Sequence, residues 1–362
     1  MRAALALARR GLGNTWPNPT VGCVVTRDDH VVGRGVTAPG GRPHAETVAL
    51  AMAGEAARGA TAYVTLEPCS HQGQTPPCAH ALIAAGIARV VVALGDPDAR
   101  VNGQGIAKLL TAGVVVETGL LADEAAKVNA GFLTRVRHGR PLVTLKMAST
   151  LDGRIATHGG ESQWITGPAA RRAGHALRGR HDAVLVGVGT VMADNPELTC
   201  RIEGFKPVPT VRVVADSHLR TPLTAKLLAT ARHSPTWFLC RDGAETERRE
   251  AMREAGAEVI EVASGQAGVD LAAGLRALAG RGITRVLVEG GAQIAAALLR
   301  ADLVDGVAWF HAPAVMGGDG WPSAQAFGVQ ALAAMPRFER VSARVVGEDM
   351  LSEYRRLSRS PA

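Results

Sequence analysis

Short β-branched runs alternate with Ala-rich stretches along the whole chain. In the first half, 21–29 (VGCVVTRDD), 61–68 (TAYVTLEP), 89–98 (RVVVALGDPD) and 114–120 (VVVETGL) read as strands. The opening MRAALALARR and residues 43–59, 77–86 and 103–113 read as helices. A helical stretch over Asp123–His138 is followed by Gly139-Arg140-Pro141, a turn-like break that marks a domain boundary. Beyond it, 141–149, 182–190, 211–217, 236–240, 257–263, 306–313 and a C-terminal run near 343–351 read as strands. Residues 285–299 (RVLVEGGAQIAAALL) pass from a strand through a Gly-Gly turn into a helix. This βαβ alternation predicts an α/β layer fold with covered sheets, in two domains, 1–139 and 140–362.

The length of 362 residues and a 47% hydrophobic content allow each domain its own core. No uncharged apolar stretch is long enough to span a bilayer, so no membrane association is expected. Two arginines sit directly behind the first apolar run and no small-residue cleavage site follows, so the stretch reads as a first helix rather than a signal peptide, and a soluble, cytoplasmic protein is expected. The net charge of +7 comes from scattered arginines with no basic run. That suits a phosphorylated small molecule better than nucleic acid. Five cysteines in a long chain are not a disulfide framework, and Cys23, Cys200 and Cys240 read as buried small hydrophobes.

The strongest chemical signal is His44-Ala45-Glu46 with Pro68-Cys69 and Cys78 downstream. One imidazole and two thiolates make three zinc ligands and leave a tetrahedral position for water, whose pKa zinc lowers toward neutrality. Both ligand groups precede helical patterns, and a helix N-terminus favours thiolate. Glu46 fits a proton shuttle that does not itself bind metal. A closed structural site would need a fourth ligand, with His71 and His80 at hand, but it would leave Glu46 without a purpose. H-A-E with P-C is the signature of zinc nucleobase deaminases. Here eight residues separate the two cysteines instead of two.

PNPTVGCVV, GGRPHAE, LEPCSHQGQTPPC and GDPDARVNGQG resemble the deaminase half of the bifunctional deaminase/reductase family of riboflavin biosynthesis. LVTLKMASTLDGRIA, SQWITG, HALRGRHDAVLVGVGTVMADNPELTCR and VLVEGGAQIAAALL resemble its reductase half. The resemblance covers nearly the whole chain. It implies a cytidine-deaminase-like zinc domain followed by a dihydrofolate-reductase-like domain. It also implies hydrolytic deamination of a diaminopyrimidinone ribosylamino 5′-phosphate, NADPH-dependent reduction of the ribosyl group to ribityl, and a homo-oligomer.

Residue by residue, the resemblance implies zinc on His44, Cys69 and Cys78 with Glu46 as the shuttle. Asn18 would meet the pyrimidine, although PNP also reads as a turn. His71 would face the substrate, or else solvent. The family's basic residue at position 74 is Gln74 here, which can hydrogen-bond phosphate but brings no charge. NADPH contacts would be Ala148, Trp164, Thr190, Asp194, Ser217, Gly291, Ala292, Gln293, Ile294, Ala295, Ala296 and Ala297. Asp194 equally suits a helix cap. Substrate contacts would be Lys146, Ser162, Arg178, Leu198, Arg201 and Glu289, with Arg178 and Arg201 as phosphate clamps and Lys146 as a contact or proton donor. The turns Gly187-Val188-Gly189-Thr190 and Glu289-Gly290-Gly291-Ala292 each end a strand and open a helix, which suits an approaching anion.

Two other readings use the same zinc site. A nucleic-acid deaminase needs a stacking surface, yet the first half offers only Trp16, Tyr63 and Phe132 as aromatics, and that reading leaves the second half unexplained. A non-catalytic zinc scaffold would be indifferent to Glu46→Gln.

Overall fold

The first unit, Met1–Gly139, carries α1 (Arg2–Arg10), β1 (Gly22–Arg27), β2 (His30–Val36), α2 (Ala45–Ala53), β3 (Thr61–Val64), α3 (Cys78–Ala84), β4 (Arg89–Val92), α4 (Gln104–Thr111), β5 (Val115–Thr118), α5 (Ala122–Val128) and α6 (Ala130–His138). Its sheet runs β2-β1-β3-β4-β5, antiparallel on both sides of β1 and parallel from β3 to β5. Val25, Ala49, Val64, Leu82 and Val92 lie in its core. The structure is a computed structural model and describes residues 1–70, 76–98, 102–265 and 268–357.

Two features differ from the sequence pattern. The strand β2, which is not among the expected strands, contains Gly33 and Gly35. A Cβ at either would come within 2.2 Å of the Ala49 or Ala45 carbonyl. These glycines are the bare surface on which α2 packs, so they place the helix that follows His44. The helix expected over 123–138 is divided at Asn129. This residue is buried, and its Oδ1 accepts the Thr20 N–H at 3.1 Å.

The second unit, Arg140–Ala362, carries β6 (Leu142–Ser149), β7 (Arg154–Ala156), α7 (Pro168–Gly179), β8 (Ala183–Gly187), α8 (Val188–Asp194), β9 (Val211–Ala215), α9 (Lys226–Ala229), β10 (Thr236–Arg241), α10 (Thr246–Glu254), β11 (Glu258–Val262), β12 (Ser264–Gly265), β13 (Gly268–Val269), α11 (Leu271–Gly280), β14 (Arg285–Val288), α12 (Ala292–Arg300), β15 (Gly306–His311), β16 (Trp321–Pro322), β17 (Phe338–Val346) and β18 (Asp349–Arg356). The main sheet runs β11-β10-β9-β8-β14-β6-β15-β18-β17. It is parallel through β15 and antiparallel beyond. The central strands β8 and β9 are buried along their whole length, as continuous apolar runs in a doubly covered sheet should be. The run near 343–351, expected as one strand, is a hairpin. It turns between Val346 and Asp349, where Gly347 has φ 69°.

Among the described residues no helix is long and apolar enough to cross a membrane.

Candidate functional site

His44 is the N-cap of α2, Cys78 is the first residue of α3, and Cys69 lies in the turn after β3. The fold brings their ligand atoms within 4.8 Å of one another. They form the one such His/Cys/Asp/Glu group among the described residues. His44 Nδ1 lies 3.3 Å from Cys78 Sγ and 3.6 Å from Cys69 Sγ, and the Cys78 N–H donates to Cys69 Sγ at 3.3 Å. Hydrogen bonds from Cys78 and His44 pull the Cys69 thiol down to about 4. The same contacts to Cys69 hold the His44 and Cys78 protons more tightly than usual. Zinc takes thiolates and a neutral imidazole, so a bound dication displaces the protons that these residues otherwise hold. One nitrogen and two sulfurs converging from three segments fit a zinc ion with a position left for water. His80, the alternative fourth ligand, is exposed on α3 and outside the group.

Glu46 lies in the first turn of α2, 3% exposed. Burial pushes its carboxyl up to about 7, and the Cys69 charge adds to the rise. Asn18 spends one amide donor on the Gly41 carbonyl at 2.8 Å, which fixes it against the segment leading to His44. His71 and Gln74 lie outside the described residues.

In the second unit, the pairing of Val288 with Leu145 sets Glu289 beside Lys146, at the C-terminal end of β14 and in the C-terminal half of β6. This is the end at which open parallel sheets bind ligands. Arg178, near the end of α7, reaches Glu289 with two hydrogen bonds, Nε to Oε1 at 2.5 Å and Nη2 to Oε2 at 2.9 Å. Its Nη1 donates to the Thr199 carbonyl at 3.0 Å. Burial pushes the Glu289 carboxyl up, but Arg178 and Lys146 override it and hold it below the usual range. Burial lowers the Lys146 ammonium, whose Nζ lies 5.7 Å from the centre of the Phe310 ring. Arg178, expected as a phosphate clamp, is thus largely engaged in orienting Glu289. Arg201 is more open: it pairs with Glu197 at 2.9 Å. His175, assigned no role from the sequence although it opens the segment HALRGRHD, joins the two arginines. Its Nδ1 lies 3.1 Å from the Thr199 carbonyl, and its Nε2 lies 3.4 Å from the Arg201 guanidinium. A histidine three residues before Arg178 on a helix was the available signal, since such residues share a face.

The two glycine turns lie at the ends of the adjacent strands β8 and β14. A Cβ on Gly290 would come within 2.9 Å of Thr190 Oγ1 and of Val186 Cβ, whereas one on Gly189 would meet nothing within 4 Å. The backbone of the first turn is therefore open to a ligand, and that of the second is closely packed on Thr190. Gly291 caps α12 with φ 54°, and Ala292, Gln293 and Ile294 form its first turn. Ala295 and Ala296 turn inward and are buried, so Ala297 lies beyond the helix start. Ala148 is at the end of β6. Ser217 follows β9, and its Oγ accepts the Val269 N–H at 2.9 Å. Asp194 is the last residue of α8 and is exposed. Trp164 is 68% exposed, with the Arg171 guanidinium 4.7 Å from its ring centre. Ser162 lies two residues before Trp164 on the same segment. The Leu198 side chain belongs to the core, so only its backbone, at φ 54°, is presented outward.

Residues 1–94 match the family model of the cytidine and deoxycytidylate deaminase zinc-binding region, and residues 141–352 match that of the RibD C-terminal domain. The chain is 42% identical over 351 residues to riboflavin biosynthesis protein RibD of Bacillus amyloliquefaciens, covering 97% of this chain and 94% of the relative. It is 42% identical over 360 residues to the Escherichia coli protein of that name, covering 97% and 96%. A solved structure of Acinetobacter baumannii RibD superposes with a TM-score of 0.88 at 38% identity, covering 98% of this chain and 97% of that one. The Thermotoga maritima diaminohydroxyphosphoribosylaminopyrimidine deaminase/5-amino-6-(5-phosphoribosylamino)uracil reductase superposes with a TM-score of 0.85 at 35% identity, covering 99% and 97%. With a zinc-binding deaminase region and a reductase domain in one chain of matching length, the protein belongs to the RibD family of bifunctional deaminase/reductases of riboflavin biosynthesis.

Proposed function

We propose that the first unit deaminates 2,5-diamino-6-ribosylamino-4(3H)-pyrimidinone 5′-phosphate. The second unit then reduces the ribosyl side chain with NADPH to give 5-amino-6-ribitylaminouracil 5′-phosphate. The observation that carries the reading is the buried Glu46 carboxylate beside three converging zinc donors. When bound on His44, Cys69 and Cys78, zinc supplies the activation of the attacking water. Glu46 would accept a proton from that water and pass it to a pyrimidine ring nitrogen, and would then carry the second proton of the attacking oxygen to the amine, which leaves as ammonia. Asn18, held by Gly41, offers its amide to the pyrimidine edge.

In the second unit NADPH supplies the reducing equivalents. Its phosphates and ribose would lie along Gly189, Thr190 and Gly291–Ala297, with Ala148, Trp164, Asp194 and Ser217 around it. Glu289, oriented by Arg178, holds the ribosyl hydroxyls, and Lys146 stands beside it as a contact or proton donor. Arg201, Ser162 and the Leu198 backbone receive the rest of the substrate, with the phosphate on Arg201. A cytoplasmic location suits the five unpaired cysteines, two of which are the thiolate ligands, since a reducing environment keeps them intact. A homo-oligomer suits the exposed edge strand β17, whose Val341 and Val345 face solvent, and sedimentation velocity tests it.

Zinc-loaded protein incubated with the substrate, with and without NADPH, and followed by mass spectrometry tests both halves. Deamination alone without NADPH and the ribityl product with it are expected. Ammonia release with no NADPH-dependent product would refute the reductase assignment.

A further inference from the structure

Glu67 stands two residues before Cys69 and is 4% exposed. Among the described residues its carboxylate accepts four backbone N–H groups. Oε2 receives Asp96 at 3.2 Å and Gly103 at 3.0 Å, while Oε1 receives Gly105 at 3.0 Å and Ile106 at 3.3 Å. Gly103 is the N-cap of α4, and Gly105 and Ile106 lie in its first turn. These are the donors that a helix start leaves without intrahelical partners. Glu67 therefore caps α4 from a distant part of the chain.

Two further contacts join the same partners. Lys108, on α4, donates to the Ser70 carbonyl at 2.6 Å. A Cβ on Gly105 would lie 2.0 Å from the Pro68 carbonyl oxygen, so the bare helix backbone touches the turn directly. Residues 67, 68 and 70 are thus each seated on α4, and the one between them, Cys69, is left to project its sulfur toward His44 and Cys78.

We propose that Glu67 and Lys108 are positioning residues that clamp the metal-binding turn onto α4 and so set the Cys69 sulfur. Outer partners that orient a metal ligand typically govern metal affinity by about 10–100-fold. Glu67→Gln replaces an acceptor oxygen with an NH₂ donor facing backbone N–H groups. Lys108→Met frees the Ser70 carbonyl, and Gly105→Ala pushes the helix off Pro68 without changing any charge. The inference rests on His44, Cys69 and Cys78 being the zinc ligands.

The test uses the full chain, zinc-loaded, with release followed in excess chromogenic chelator, and the cobalt-substituted forms compared by their thiolate-to-cobalt absorption. Reduction of supplied deaminated substrate serves as the control for a folded chain. Release about 10–100-fold faster is expected in Glu67→Gln and Gly105→Ala, and several-fold faster in Lys108→Met. The cobalt bands should shift, reductase turnover should stay unchanged, and the Glu67→Gln/Lys108→Met pair should accelerate release by less than the product of the singles. Release rates and cobalt bands matching the unsubstituted chain would overturn the clamp. If Glu67→Gln does not accumulate, Lys108→Met and Gly105→Ala decide by the same two readings. An unsubstituted chain that binds no zinc would instead refute the ligand assignment.

Discussion

Arg178→Met removes the two-pronged partner of a carboxylate whose side chain is only 7% exposed. The Glu289 charge would keep Lys146 as a neighbour but lose both hydrogen bonds, at 2.5 and 2.9 Å. Breaking one side of a buried ion pair costs about 3–5 kcal/mol. Because Lys146 still acts on Glu289, the lower end, about 3 kcal/mol, is expected. For a domain of this size that lowers the melting temperature by about 6–12 °C, read by calorimetry on the full chain.

The penalty has a pH signature. In the variant, burial is less opposed, and the Glu289 pKa rises above its unfolded value. The folded state then gains from protonation, and the deficit shrinks as the pH falls from neutrality toward the unfolded carboxylate range. Arg178→Met/Glu289→Leu, which removes both charges, should recover most of the lost stability. NADPH-dependent reduction should collapse in both variants while deamination persists. A single variant within about 1 kcal/mol of the original protein, or a double variant no better than the single, would refute the account of an uncompensated buried carboxylate.

Three further outcomes are expected. Glu46→Gln should retain zinc by metal analysis and keep the reductase, but lose deamination by at least about 10²-fold. Full zinc with undiminished deamination would exclude Glu46 as the shuttle. His181 is fully buried, its Nδ1 2.7 Å from the Leu177 carbonyl and its Nε2 3.0 Å from Thr144 Oγ1, and burial pushes its pKa down to about 3. Its contribution is intact above the unfolded value and is lost as pH falls below it, by about 2 kcal/mol at 1.5 units lower. His181→Gln should flatten that slope in denaturant titrations, and an unchanged slope would assign the acid sensitivity elsewhere. Gly290→Ala drives a methyl group against Thr190 and Val186. It should weaken NADPH binding about tenfold, or about 1.4 kcal/mol, in a fluorescence titration, with deamination untouched; unaltered affinity would remove this turn from the cofactor site.

The parts of this protein that were legible in the sequence are those whose signal is local. The β-branched runs of β8, β9 and β14 and the glycine turns that follow β8 and β14 appear where the pattern places them, because a doubly covered parallel strand needs a continuous apolar run. The parts that were not legible depend on contacts distant in sequence. The strand β2 was hidden because Gly33 and Gly35 weaken a strand signal, and they are tolerated because α2 lies on them. The break at Asn129 follows from a hydrogen bond to Thr20. Glu67 stands in the LEPC segment, but its role was hidden, since its partners are backbone N–H groups that any residue could supply. The reach of Arg178 to Glu289, and the link of His175 to Arg201, join side chains of α7 to residues far along the chain.

The sequence by itself determined the donor set, one imidazole and two thiols with a carboxylate two positions from the imidazole, because ligand chemistry resides in the side chains. It also determined the alternation that makes two α/β units. Only the tertiary structure decided that segments 25 and 34 residues from His44 meet it within 4.8 Å, and that Glu46 is buried there. It likewise decided that Arg178 serves Glu289 rather than standing open to a phosphate. Distance and burial set the strength of every charge interaction, and both are properties of the packed chain.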